Sequence, residues 1–368
     1  MRQSYVATDC FSTNIGMMCE VSLTSKHPHL RIHTPDLIKP RASGTTFMID
    51  RLHALVRDDF DAVNALIETN IQSEISLLDE LASHIIKSGG KHLRPLLLLL
   101  ASHACGYQGK DHIKLAAMIE FFHTATLLHD DVIDESALRR GRKTAHSIWG
   151  SKASILVGDY LFTQYMQLMI SVGNLKIMKV LTDMTHQIGC GEIKQLANRH
   201  NPSLAMDDYF DVIHAKTSLL FAASSRLGAL VCDADAAIEK GLTAYGMHLG
   251  NAFQLIDDAL DYCSDAKTMG KNIGDDLADG KATMPLLYAL QQGTQEQKDI
   301  IKQGLTQGSL DDLPKILDAL KETGAIEYTK TLAQHEVEQA ISSLNVLPDS
   351  DYKQALEELA RYTLTRDH

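Results

Sequence analysis

Between Pro95 and Pro202 the chain contains no proline, and this stretch carries Leu, Ala, Met and Glu at helical spacing. Proline removes a backbone donor and clashes with the preceding turn, so its absence over such a length favours long helices. Segments 111–129, 153–169 and 242–260 place apolar residues on more than one face. A helix wetted on one side keeps a polar face, so these three are expected to be central. Breaks are expected at Gly89-Gly90, Gly106, Gly141, Asn201-Pro202, Gly274 and Gly280. The expected class is all-α.

Pro28, Pro35 and Pro40 crowd the start of the chain. Residues 1–47 are rich in Ser, Thr, His and Pro and lack a sustained helical period, which begins near Met48. We expect a poorly structured extension over 1–47 and a single domain over 48–368. The extension has neither the apolar core of a secretory leader nor an Arg-rich amphipathic pattern, and it carries Asp9, Glu20 and Asp36.

Two acidic clusters share one pattern, DDxxD: Asp130-Asp131-Val132-Ile133-Asp134 and Asp257-Asp258-Ala259-Leu260-Asp261. On a helix, positions i, i+1 and i+4 share one side, so the outer aspartates stack one turn apart. One such cluster reads as a solvated acidic face. Two copies at identical spacing, both inside apolar runs, do not. Like charges held together need a cation, and carboxylates suit Mg²⁺, which takes hard oxygen ligands and is usually completed by substrate phosphates. That points to diphosphate chemistry.

A formal charge of −12 argues against nucleic acid as a partner and against an anionic-membrane anchor. Metal ions and local Arg or Lys residues can still reverse the sign at one site. The six cysteines include no CxxC pair. Neither a disulfide framework nor a zinc site is expected, and the pattern fits a reducing, cytoplasmic setting. No apolar run approaches the roughly 18–20 residues of a spanning helix.

Cations gather in few places. Lys91 and Arg94 lie between Gly89-Gly90 and Pro95, positioned to converge on an anion at a helix start. Arg139, Arg140 and Arg142 follow the first acidic cluster, with the fork geometry that suits phosphate. Lys271 and Lys281 follow the second cluster, and Lys216-Thr217 lies between the two.

The motifs GGKHLRP, FFHTATLLHDDVIDESALRRG, GDYLF, HAKTSLLF, AFQLIDDALDY, GKNIGDD and GKATMPLLYAL occur in this order within 48–368. Together they resemble the trans-isoprenyl diphosphate synthases, and among these the long-chain octaprenyl type that makes the ubiquinone side chain. The resemblance does not cover residues 1–47. It implies the isoprenoid synthase fold, antiparallel helices around a central cavity, usually as a homodimer. It implies Mg²⁺ as the cofactor, about three ions with substrate bound, held by Asp130, Asp134 and Asp257 with support from Asp131, Asp258 and Asp261. Arg139, Lys216 and Lys281 would contact an allylic diphosphate, with Thr217 and Gln254 at the reacting centre and Lys271 closing over it. Lys91, Arg94, His123 and Arg140 would hold isopentenyl diphosphate. Lys143 departs from the Pro or Ala of many relatives, at a loop position.

No nucleophilic side chain is needed for such a reaction, so Ser, Cys and His are not read as a triad. Of the histidines flanking the first cluster, His123 is favoured over His129 for substrate contact. Product length would be set beneath that cluster. One turn back from Asp130 lie Thr126 and Ala125, both small, and a further turn back lie Phe122 and Phe121. An open shaft with a deeper floor predicts a long product. A class I terpene cyclase is disfavoured by GGKHLRP and by the second DDxxD. A non-catalytic subunit of a heteromeric synthase is disfavoured because all six aspartates are present.

Overall fold

The structure, a computed structural model, describes residues 44–86, 90–139, 141–263 and 273–366. Most of the expected extension therefore lies outside the described residues. Helices α1 (Gly44–Leu55), α2 (Arg57–Ile71) and α3 (Ser76–Ile86) lead to α4 (Leu93–Ala104) and the long α5 (Asp111–Ile133). An antiparallel ribbon of β1 (Leu138–Arg139) and β2 (Arg142–Lys143) precedes α6 (Ala145–Trp149), α7 (Ser151–Val172) and α8 (Leu175–Ala197). Next, α9 (Met206–Ile213) passes through one π-helical turn, His214–Ser218, into α10 (Leu219–Val231) and then α11 (Ala236–Leu260). The chain finishes with α12 (Asp275–Ala278), α13 (Met284–Gln292), α14 (Gln295–Gln307), α15 (Leu313–Glu322), α16 (Ala325–Ser343) and α17 (Asp351–Thr365).

The sequence explains the layout. Leu96, Leu97, Leu98, Leu99 and Leu100 are all fully buried. Five consecutive leucines cover every face of a helix, so α4 must be surrounded. It packs against α5 and α10, and α10 packs in turn against α11. Pro95, Pro285 and Pro314 fall in the first turns of α4, α13 and α15, where a missing N–H breaks no helical bond. The expected breaks at Gly106, Gly141, Gly274 and Gly280 all have positive φ, which glycine adopts without strain.

Two apolar clusters share α11. Its Leu242, Tyr245 and Leu249 belong to the core around α4, α5, α7 and α10. Its Leu255, Ile256 and Ala259 belong to a second core with Tyr209, Ile213 and helices α13 to α16. Segment 153–169 departs from expectation: α7 packs on α5 but leaves Ile155, Leu156, Met166 and Ile170 exposed. Its second apolar face is open in the single chain. Among the described residues no helix is long and apolar enough to cross a membrane.

Candidate active site

Both acidic clusters end a helix. Asp130 and Asp131 lie in the last turn of α5, with Asp134 as its C-cap. Asp257 and Asp258 occupy the last turn of α11, with Asp261 as its C-cap. The C-terminal end of a helix already carries partial negative charge, so carboxylates there are disfavoured twice over. A cation must be near.

Side chains supply several. Arg199 and Lys281 both reach Asp134, Lys281 at 3.1 Å. Lys216 lies 3.8 Å from Asp130 and donates to Glu192 at 2.7 Å and to Gln195 at 2.8 Å. Arg139 donates through Nε and a terminal nitrogen to one oxygen of the fully buried Asp131, each bond 2.8 Å. Asp131 is thus turned into the protein, fixing the ribbon arginine beside the cluster. On the second helix, Asp257 is paired with Arg366 at the chain's end, whose guanidinium stacks on the Phe253 ring at 3.7 Å.

The two clusters meet at a cavity of about 250 Å³. Asp130, Asp134, Arg139, Lys216, Thr217, Gln254, Asp258 and Lys281 all line it. So do residues that the sequence reading missed: Gln195, Asn198, Arg199, Tyr209 and Asp276. Thr217 donates to Gln254 at 2.8 Å, Gln254 donates to Asp258 at 2.8 Å, and Tyr209 donates to the other Asp258 oxygen at 2.6 Å.

Placement of Lys216 and Thr217 depends on the π turn, a helical irregularity common at functional sites. Two glycines let neighbouring helices close on it. A Cβ on Gly191 of α8 would lie 2.4 Å from the Ala215 Cβ, and one on Gly250 of α11 would lie 2.4 Å from the Ser218 Cα.

Electrostatics follow from burial. Asp130 is pushed above the ordinary carboxylate range by burial, with Asp134 adding to the push and Lys216 opposing it. Asp134 bears a burial cost too, yet Lys281 and Lys216 hold it below that range. Burial, with Asp276 beside it, pushes Asp258 up to about 7. Burial likewise raises Glu192, with Asp130 contributing. The site therefore carries more buried carboxylate than its cations stabilise. Its hard oxygen donors fit a divalent cation of the Mg²⁺ type.

Other expected residues lie elsewhere. Arg94, in the first turn of α4, contacts His123 at 3.1 Å and stacks on Phe221 at 4.4 Å, while Lys91 lies over the Tyr362 ring at 5.2 Å. These form a group apart from the cavity lining. His129 turns toward α7, 3.4 Å from Asp159. Asp261 is buried and accepts from the Asp276 N–H at 3.3 Å. Below Asp130, Leu127 reaches the cavity wall. Ala125, Phe121 and Phe122 are buried and Thr126 is half-buried. Phe122 packs against Phe162 and Tyr165 of α7, at 6.1 and 5.1 Å between ring centres. Arg140 and Lys271 lie outside the described residues.

Residues 75–320 match the model of the polyprenyl synthetase family. The chain belongs to the polyprenyl synthetase family. It is a prenyltransferase with the all-α fold of that family, as the sequence motifs implied. It is 42% identical over 320 residues to octaprenyl diphosphate synthase of Escherichia coli, covering 87% of this chain and 99% of the relative. It is also 42% identical over 314 residues to a geranyl-diphosphate-specific all-trans-nonaprenyl-diphosphate synthase of Rhodobacter capsulatus, covering 85% and 96%. Among solved structures it is similar to a polyprenyl synthase from Caulobacter crescentus complexed with calcium and isoprenyl diphosphate. The TM-score is 0.84 at 40% identity, over 89% of this chain and 100% of that one.

Proposed function

We propose that this protein is a long-chain trans-polyprenyl diphosphate synthase. It extends an allylic diphosphate with successive units of isopentenyl diphosphate to an octaprenyl product for the ubiquinone side chain. One observation carries the reading: two DDxxD clusters, each ending a helix, send Asp130, Asp134 and Asp258 into one cavity with Arg139, Arg199, Lys216 and Lys281. Two similar acidic walls with cations between them suit a diphosphate and its metal ions.

Asp130, Asp134 and Asp257 would hold Mg²⁺, with Asp131, Asp258 and Asp261 behind them. Bound Mg²⁺ supplies charge stabilisation for the departing diphosphate. Arg139, Lys216 and Lys281 bind the same diphosphate and are held by carboxylates before it arrives, so little reorganisation is needed. Lys91, Arg94 and His123, with Arg140, take the diphosphate of isopentenyl diphosphate. The Arg94 guanidinium is oriented by His123 and by the Phe221 ring. Thr217 and Gln254 form a hydrogen-bonded pair at the reacting centre. Leaving of the diphosphate produces an allylic cation, attack by the isopentenyl double bond extends it, and loss of a proton to the departed diphosphate restores an alkene. Lys271 would close over the site.

Incubation with farnesyl diphosphate, radiolabelled isopentenyl diphosphate and Mg²⁺, followed by sizing of the products, tests the whole reading. A ladder ending at octaprenyl is expected. No incorporation would overturn the enzyme reading, and a ladder ending at nonaprenyl would reassign only the length.

We further propose a homodimer through α7 and α8. Leu156 and Ile170 on α7, and Leu175 and Ile193 on α8, form exposed apolar stripes; Leu156 is 68% and Ile193 70% exposed. Apolar residues aligned this way mark interaction surfaces. Leu156→Glu with Ile193→Glu is expected to convert a dimer to a monomer in light scattering. A dimer that survives both charges would place the interface elsewhere.

A further inference from the structure

Far from the acidic cavity, three helix ends converge on a group that prenyl transfer does not use. Asp59 lies in the first turn of α2, His103 in the last turn of α4 and His112 in the first turn of α5. Along α5, His112 lies about 27 Å from Asp130, taking 1.5 Å per residue. Asp59 Oδ2 is 2.6 Å from His103 Nε2 and 3.1 Å from His112 Nε2. One ligand atom from each residue falls within 4.8 Å of the others.

His112 makes the group more than a hydrogen-bonded pair. Its side chain is 3% exposed, yet neither ring nitrogen makes a well-aligned hydrogen bond, the nearest approach being Nε2 to the Asp59 carboxylate at 3.1 Å. Nε2 aims at Asp59 but is misaligned for donation. A buried polar group left this way is costly. Two imidazoles beside one carboxylate are a donor set that a transition-metal ion takes.

We propose that Asp59, His103 and His112 bind a divalent transition-metal ion of the Zn²⁺ type, tying together the ends of α2, α4 and α5. Imidazole nitrogens select such ions over Mg²⁺, and two histidines with one carboxylate leave a position for water. The ion would take the place of the hydrogen bond between His103 and Asp59. Asp59 and His103 are a quarter and a fifth exposed, which opens a path from solvent. Packing holds the rings in place: Tyr352 of α17 stacks on His103 at 4.8 Å, and Tyr107 meets His112 edge-on at 5.2 Å.

The test uses the full chain, stripped by chelator and kept in excess Mg²⁺ to fill the oxygen sites. Titration with Co²⁺ is expected to give the intense visible bands of nitrogen ligation at low coordination number, saturating at about one ion per chain. Zn²⁺ should bleach the bands and raise the melting temperature by several degrees. Asp59→Asn and His103→Gln should lose both signals while Mg²⁺-supported prenyl transfer stays within about two-fold. Asp59→Asn keeps the side-chain shape, so it decides the matter if the histidine variant folds poorly. Absence of bands in the parent protein, or bands that persist in Asp59→Asn, would overturn the site.

Discussion

Asp130→Ala is expected to lower kcat by at least about 10³-fold, on the scale seen when a group stabilising the departing charge is removed. The same change should leave the melting temperature unchanged or raise it by about 2 °C. The two effects have one cause. Asp130 is a buried carboxylate at the negative end of α5, near Asp134 and Glu192, and burial pushes its pKa up. Ionised, it bears a burial cost that its attraction to Lys216, 3.8 Å away, only partly offsets. Alanine removes that cost and the proposed metal ligand together. Steady-state kinetics in saturating Mg²⁺ and a thermal melt on one preparation measure both. A loss of kcat under ten-fold would remove Asp130 from the machinery, and a marked fall in melting temperature would make its role structural.

Ala125→Tyr is expected to stop elongation after the first few additions, while the rate of the first condensation falls little. Residue 125 lies more than one turn below Asp130, so a tyrosine there would project across the proposed path of a growing tail. Ala125 is 1% exposed, and inserting an aromatic ring costs about 1–3 kcal/mol of stability through overpacking. A melt must accompany the product analysis. Deeper down, Phe122, Phe162 and Tyr165 form an aromatic cluster, with the Tyr165 hydroxyl donating to the Leu181 carbonyl at 3.2 Å. A long product must run past this cluster or displace it. Unchanged product length in a folded Ala125→Tyr protein would place the shaft on another face of α5, the Leu127 side being the one that reaches the cavity.

Much of this was legible in the sequence because it is local. Helical period, proline placement and glycine breaks depend on neighbours in the chain, and α5, α7 and α11 follow them closely. The ordered motifs named the family for the same reason. What stayed hidden depends on distant partners. Arg199 reaches Asp134 across 65 positions, and Arg366 reaches Asp257 across 109. Neither arginine stands in a motif. The ribbon and the π turn were also missed, since both are shaped by the elements packed around them. Segment 153–169 misled because an apolar face looks the same whether it meets the core or another chain.

By itself the sequence determined that the chain is helical and which family it belongs to, and it singled out two triads of carboxylate with a few cations as candidates for its chemistry. The tertiary structure alone decided what each aspartate faces. Adjacent residues on a helix point about 100° apart, as 3.6 residues make a turn. Asp130 therefore meets the cavity while Asp131 is buried against Arg139, and Asp258 meets it while Asp257 is paired with Arg366. Spacing places carboxylates on a helix; only packing gives each its surroundings, and so its charge.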